Sequence, residues 1–352
     1  MQFRTLAGMV NMQGTLKNCS QNGMGKEYLG YLEWNDPLYH HLVDLLYESG
    51  RNGHIPSFRV FRLSGSKEVF LYEEEEHYWK VVGKFFPPSD NGASRWALRE
   101  FESLSYLRSL GLTGYPHRVA RPISCTFGCA PMLLEEYCEG LSLSEIVFDA
   151  VYRGAHQRLI FTLTAVAWFL ARLHNSTATS RSVDFAHDSS FCERVIRTLR
   201  ERELLSGSDA EEFLWLMDCW RAMPSMWEDC QVLVHGDATP GNFLIGSGLE
   251  VTAIDLEAMK NADRVFDVGR MAGELKHFFL SGTGDGTQAE PFIRHFLTAY
   301  ASHFPDRVRA FHSITARVPF HMANALLRIA RNDWVTSDYR GKLYTEAKAL
   351  LR

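Results

Sequence analysis

Three side chains suited to phosphoryl chemistry stand at short spacing in the stretch 234–257, VHGDATPGNFLIGSGLEVTAIDLE. Asp237 follows His235-Gly236, Asn242 comes five residues later, and Asp255 closes an apolar run of Val251, Ala253 and Ile254. A carboxylate such as Asp237 can accept or orient the proton of a substrate hydroxyl. Asn242 and Asp255 offer hard oxygen donors. Magnesium favours such donors and takes only one or two from a protein, with phosphates and water completing its octahedron. The stretch therefore predicts Asp237 as the catalytic residue and Asn242 and Asp255 as ligands of Mg2+ against the phosphates of ATP.

Such a loop needs a scaffold and a partner for the phosphates, and both are sought upstream. Phe58–Leu63 and residues 68–73 alternate as strands around a turn containing Ser64, Gly65 and Ser66. One glycine makes that turn a weak phosphate cradle. The acidic run 73–76 reads as a solvated strand end, because adjacent carboxylates repel. In the next strand, HYWKVVGKFF, alternation puts Lys80 and Lys84 on the same sheet face. Lys84 is favoured as the phosphate-binding cation, since it lies deeper in the apolar run, where a charge needs a reason. After Pro87-Pro88, Trp96, Leu104, Leu107 and Leu110 trace a helix that Gly111 stops. Glu100 and Glu102 lie about 200° apart on it, so only one faces the sheet.

The HGDxxxxN pattern (His235, Gly236, Asp237, Asn242) with Ile254 to Glu257 resembles the aminoglycoside phosphotransferase family, which shares a superfamily with choline and ethanolamine kinases and protein kinases. Gly236 stands where protein kinases have Arg. The resemblance spans roughly residues 57–280. It implies an α+β, bilobal, protein-kinase-like fold: a small N-lobe with an antiparallel sheet and one helix, then a larger, mostly helical C-lobe. It implies ATP and Mg2+ as cofactors, with Lys84 on the α- and β-phosphates and Glu100 as the partner of that lysine. Ser64, Gly65 and Ser66 would cover the nucleotide, and the main chain at Glu136 and Cys138 would meet the purine edge. Asp267 would cap a helix and brace the catalytic loop, His235 would anchor that loop, and His174 would be a core histidine with a backbone partner. Domain limits follow as a 1–55 extension, a 56–137 N-lobe and a 138–352 helical C-lobe.

In the extension, residues 1 to about 30 read as irregular. A helix follows, with Asn35 or Asp36 as N-cap, Pro37 in its first turn and Leu38, Leu42, Leu45 and Leu46 on one face. The C-lobe begins with LSLSEIVFDAV and RLIFTLTAVAWFLARLHN, the second apolar nearly all round as a buried scaffold helix. Two helices within 191–222 precede the catalytic stretch, and amphipathic segments around 290–304 and 316–334 complete the lobe.

A chain of 352 residues, 46% hydrophobic, is long enough for this architecture, and a net charge of -5 excludes the basic signature of a nucleic-acid binder. Seven cysteines without metal-type spacing suggest reduced thiols, and no apolar run reaches signal or transmembrane length. The expected location is cytoplasmic, with no membrane partner. The expected acceptor is a hydroxyl of a small molecule: aminoglycoside-like, amino alcohol or sugar. The acidic residues of 193–229 would suit a polycation but read better as the solvated face of two helices. Trp215, Trp220 and Trp227 offer an aromatic cage, with core packing preferred for the first two. The alternative is a nucleotide-binding pseudokinase, supported only by the glycine-poor turn.

Overall fold

The computed structural model describes residues 25–51, 53–63, 68–86, 92–127 and 131–352. Its contacts divide it into two compact units, Met1–Thr113 with Val119–Glu139 and Gly114–Arg118 with Gly140–Arg352.

The first unit is built on six antiparallel strands. In chain order come β1 (Lys26–Tyr31), helix α1 (Pro37–Glu48), β2 (Phe58–Leu63), β3 (Glu68–Glu74), β4 (Lys80–Phe85) and helix α2 (Ala93–Ser109). Two short strands, β5 (Thr113–Gly114) and β6 (His117–Val119), belong to a separate five-stranded sheet and precede β7 (Pro122–Thr126) and β8 (Met132–Glu136) of the six-stranded one. The sheet order is β1-β2-β3-β4-β8-β7. Alternation along the strands separates two faces. Phe58, Val60, Phe70, Tyr72, Val81 and Leu134 pack with Leu38, Leu42 and Leu46 of α1 on one face. Asp36 caps α1 by accepting the N–H of Leu38, and Pro37 occupies the first turn. The opposite face carries Leu71 and Val82. The sheet takes in part of the stretch expected to be irregular: β1 pairs Lys26 with Leu63 and Tyr31 with Arg59. Five of its six residues are exposed. An edge strand held by main-chain pairing and by surface contacts such as Tyr28–Phe61 and Tyr31–Glu75 leaves no hydrophobic alternation for a sequence to display.

The second unit is mostly helical. Leu141–Ser142 (β9) pairs with Phe243–Ile245 (β11), which also pairs with Val251–Ala253 (β12). Val232–Val234 (β10) pairs with Lys260–Ala262 (β13). Around these lie α3 (Leu143–Arg153), α4 (His156–Ser176), α5 (Phe185–Glu201), α6 (Gly207–Arg221), α7 (Val265–Thr283), α8 (Glu290–Ala301), α9 (Arg307–Thr315), α10 (Val318–Ala330) and α11 (Ser337–Leu351). Ser142 and Glu145 close a capping box at the start of α3. α7 and α10 approach closely because α7 has Gly269 and Gly273 in the contact. A Cβ at these positions would lie 2.4 Å from the Cβ of His321 and 2.7 Å from that of Ala325. Among the described residues no helix is long and apolar enough to cross a membrane.

The aromatic residues near the acidic segment do not form a cage. Trp220 is buried and donates Nε1–H to the carbonyl of Leu351 at 3.0 Å. Trp215, expected in the core, is 64% exposed. It lies one turn and a half from Trp220, which turns it away from the packed side of α6. Several acidic side chains of this segment are ion-paired: Glu193 with Arg221, and Asp209 and Glu212 with Lys348.

Candidate active site

Lys84 sits in β4 on the sheet face away from α1, and it is 4% exposed. Its Nζ donates to Oε1 of Glu100 on α2 at 2.7 Å and lies 3.0 Å from Oε1 of Glu135 on β8. Lys80, the alternative on the same face, is partly exposed and pairs at 3.0 Å with Glu139. Burial therefore separates two lysines that register could not. Glu100 is fully buried, and its Oε2 has no hydrogen-bond partner. Glu135 escaped the sequence reading, although a signal was present. It is a charged residue inside the apolar strand MLLEE, two positions from Leu133, which pairs across the strands with Lys84.

Ser64, Gly65 and Ser66 lie outside the described residues. At the end of β8 the main chain is partly committed: the N–H of Glu136 donates to Arg121 O at 2.9 Å, and that of Tyr137 to Lys80 O at 3.4 Å. The Glu136 carboxylate in turn accepts the N–H of Arg121 at 2.9 Å. Cys138 is buried, with its thiol 3.8 Å from the carbonyl of Glu136.

In the second unit, the loop between β10 and β11 is held by Asp267, a fully buried carboxylate in the first turn of α7. Asp267 Oδ2 accepts the main-chain N–H of His235 at 2.6 Å, and Oδ1 accepts that of Gly236 at 3.0 Å. Burial opposes its charge, but the His174 ring, the nearby His235 and the Gly236 N–H hold its carboxyl below the ordinary value. Asp267 braces the loop as expected but does not cap α7; the carboxylate that accepts the N–H of Val265 belongs to Asp263. His174 is a buried core residue, yet its partners are side chains rather than backbone: Tyr300 OH at 2.7 Å and Asp267 at 3.1 Å. Burial pushes its imidazole pKa down.

His235 is also part of this bracing. Its Nδ1 accepts the N–H of Asp237 at 3.3 Å, so its Nε2 carries the proton and donates to Ile254 O at 3.0 Å. Gly236 has a left-handed φ of +83°, and a Cβ there would lie 2.0 Å from Ala258 O. That clash with main chain excludes an Arg at this position.

Asn242 donates its side-chain N–H to Asp237 O at 2.9 Å and to Asp237 Oδ2 at 3.3 Å. With Nδ2 thus engaged, the opposite amide atom is Oδ1. The carbonyl of Asn242 accepts the N–H of Ile254, the residue before Asp255, at 3.1 Å. Asp255 itself adopts a left-handed conformation, φ 58° and ψ 58°. The loop and the end of β12 therefore bring Asp237, Asn242 and Asp255 into one neighbourhood.

Two arginines there were not anticipated. Arg270, one turn along α7 from Asp267, donates to Oδ1 of Asp237, and Arg328 of α10 lies 3.6 Å from the same oxygen. Arg328 is in turn paired with Glu274 at 2.7 Å. Arg270 is 8% exposed on its side chain, and burial together with Arg328 pushes its pKa down, against the pull of Asp237 and Glu274. The sequence signal was a pair of arginines, Arg270 in DVGRMAGEL and Arg328 in ANALLRIA, among mostly apolar neighbours.

An antiparallel sheet with a helix across its lysine-bearing face, followed by a mostly helical part carrying a braced His-Gly-Asp loop, is the α+β fold of the kinase type. The sequence profile of the phosphotransferase enzyme family matches residues 58–309, and the chain belongs to that family. Solved structures with the same fold include an ethanolamine kinase of Plasmodium vivax, with a TM-score of 0.55 and 12% identity over 84% of this chain and 81% of that one. Another is the streptomycin–ATP ternary complex of APH(2")-IIa, with a TM-score of 0.53 and 14% identity over 90% and 96% of the two chains. A third is wild-type aminoglycoside 2'-phosphotransferase-IIIa in its GDP complex, with a TM-score of 0.53 and 14% identity over 88% and 98%. Identities this low speak for the fold alone. No curated protein matches the chain significantly in sequence.

Proposed function

We propose that this chain transfers the γ-phosphoryl group of ATP to a hydroxyl of a small molecule, of the aminoglycoside-like, amino alcohol or sugar class. The observation that carries the reading is the Asp237 loop. The Asp237 carboxylate and the Asn242 amide are linked on a segment whose main chain is pinned by a buried Asp267 and a tautomer-specific His235, and the main chain of Ile254, next to Asp255, bonds to Asn242. Phosphoryl transfer needs this kind of rigidity, since its catalysis is mostly positioning and charge neutralisation. Support from relatives is nucleotide binding: one similar structure is a complex with ATP and another with GDP.

In this reading Lys84, held by Glu100 and Glu135, binds the nucleotide phosphates. The main chain around Glu136 and Cys138 meets the purine, with the carbonyl rather than the committed N–H of Glu136 as its contact. Ser64, Gly65 and Ser66 close over the nucleotide. Asn242 through Oδ1 and Asp255 through its carboxylate form a hard-oxygen pair suited to Mg2+, which when bound neutralises charge on the phosphates. Asp237 orients the acceptor hydroxyl and takes its proton as the bond to phosphorus forms. Arg270 fixes one of its oxygens and Asn242 approaches the other, so the carboxylate presents a single direction.

The test is ADP release from a panel of alcohols, sugars, amino alcohols and aminoglycosides, with Mg2+ present and absent. Asp237→Asn is expected to lower kcat on any acceptor found by about 10²-fold or more. Full turnover by Asp237→Asn, or ATP binding without Mg2+-dependent turnover on any acceptor, refutes the reading; the second outcome marks a pseudokinase.

A further inference from the structure

We propose that His54, Glu74 and His77 form a zinc site that clips the segment entering β2 to the turn between β3 and β4. One ligand atom from each of the three residues lies within 4.8 Å of the other two, the only such group of histidine, cysteine or acidic side chains among the described residues. The site belongs wholly to the first unit and uses none of the residues assigned to phosphoryl transfer.

Glu74 is the centre of the arrangement. The acidic run it belongs to reads in sequence as a solvated strand end, but its side chain is fully buried. Strand alternation turns it inward, and the turn folds over it as the N–H of Glu74 bonds to Trp79 O at 2.8 Å. Tyr78 in that turn has a left-handed φ of 53°. Glu74 Oε1 accepts the N–H of Glu76 at 3.1 Å, and Oε2 accepts that of His77 at 2.6 Å. Two main-chain N–H groups thus fix both of its oxygens in place beside the imidazoles.

Two imidazoles flank this carboxylate. His54 Nε2 is 2.8 Å from Glu74 Oε1, and His77 Nδ1 is 3.4 Å from Glu74 Oε2. The rings lie 4.8 Å apart and 33° from parallel. Zinc binds nitrogen and carboxylate oxygen at about 2.0–2.2 Å, which sets tetrahedral ligand atoms roughly 3.3 Å apart. The separations of 2.8 and 3.4 Å bracket that spacing, and the two imidazoles close on it from within 4.8 Å. Two imidazoles and a carboxylate also match the donor preference of zinc better than that of magnesium or calcium. The other nitrogen of His54 faces Glu76 Oε2 at 3.4 Å. With its proton on Nδ1 and directed at Glu76, His54 presents the Nε2 lone pair to the metal, the carboxylate–histidine–metal relay that orients zinc ligands. Water completes the fourth position. In the metal-free protein His54 Nε2–H donates to the Glu74 carboxylate across 2.8 Å; on binding, Nε2 gives up that proton as Nδ1 takes one up, so the ring changes tautomer with no net proton released.

The experiment uses the full chain, stripped with a chelator and titrated with Zn2+ against a chromophoric competitor in excess Mg2+. One zinc per chain is expected, bound more tightly than about 1 μM but less tightly than a full structural site. His77→Gln, at a partly exposed position, and His54→Gln are each expected to weaken it by more than about 100-fold, and Glu76→Gln by about 10-fold. Zn2+ should raise the melting temperature of the wild type and not of the histidine variants, because a ligand of the folded state alone stabilises it by mass action. Substituted Co2+ should give a spectrum without thiolate charge transfer. Failure of the wild type to compete for Zn2+, retention of tight binding in both histidine variants, or a thiolate band would overturn the proposal.

Discussion

Replacing Lys84 with Met removes the cation that faces two buried carboxylates. With the N···O separations of 2.7 and 3.0 Å to Glu100 and Glu135 taken as charge separations, each attraction is roughly 6 kcal/mol at an effective dielectric of about 20. Those are gross terms, largely offset in the native protein by the desolvation of all three groups. The substitution does not return that cost, because the carboxylates stay buried: both glutamates are under 5% exposed. Breaking a buried pair from one side typically costs about 3–5 kcal/mol, and that is the expected loss at neutral pH. Urea unfolding followed by far-ultraviolet circular dichroism reads it as a lower midpoint at unchanged slope. Adding Glu100→Gln should recover part of the loss by removing one of the stranded charges, although the same change alone destabilises the wild type. A loss under about 1 kcal/mol, or a double variant worse than Lys84→Met alone, would refute the account of Lys84 as a buried pair partner.

The remaining expectations concern the second unit. Arg270→Met should lower kcat by about 10- to 100-fold with little change in the KM for ATP, and Arg270→Lys should restore only part, since a lysine cannot reproduce the planar geometry of a guanidinium; a rise in the KM for ATP at constant kcat would count against a role in aiming Asp237. Asp267→Asn leaves at least one of the His235 and Gly236 N–H groups without an acceptor and should cost about 1–3 kcal/mol near neutral pH. The folded carboxyl of Asp267 titrates below its unfolded value. Its contribution is therefore complete above an unfolded pKa of about 3.9 and is lost as pH falls through the lower folded one. Denaturation of both proteins across that range should show their difference shrinking only in acid; a constant difference would contradict the charged role of Asp267.

What the sequence disclosed depended on whether a residue's reason for being there was local. The helix Pro37–Glu48 announced its Asp36 cap, its proline and its leucine stripe, and each stands where expected. Lys84 announced itself as a charge in an apolar strand. Strand β1 did not, because it pairs at the sheet edge through its main chain and its side-chain contacts lie on the surface. The burial of Glu74 was hidden for the opposite reason: four consecutive acidic residues look alike in one dimension, and only the turn after β3 separates the inward-facing one from its neighbours. Arg270 and Arg328 were illegible as partners of Asp237, since 33 and 91 residues separate each from it and helix periodicity reports a face without naming what it meets.

The His-Gly-Asp loop combines residues with three different physical duties, and only some of these concern chemistry. Gly236 is required because main chain from Ala258 occupies the space of its Cβ. His235 joins the loop to the end of β12 through a proton fixed on Nε2, and thereby sets the distance between Asp237 and the segment leading to Asp255. Asp267 supplies the charge that holds both main-chain amides, from a helix otherwise packed against α10. Asp237 and Asn242 are left as the side chains to which the proposed chemistry is assigned, and they are linked to each other as well. A change in any bracing residue therefore moves the reactive pair as a unit. Loss of activity in such a variant would report displaced geometry, whereas loss in Asp237→Asn with the loop intact would report the chemistry itself.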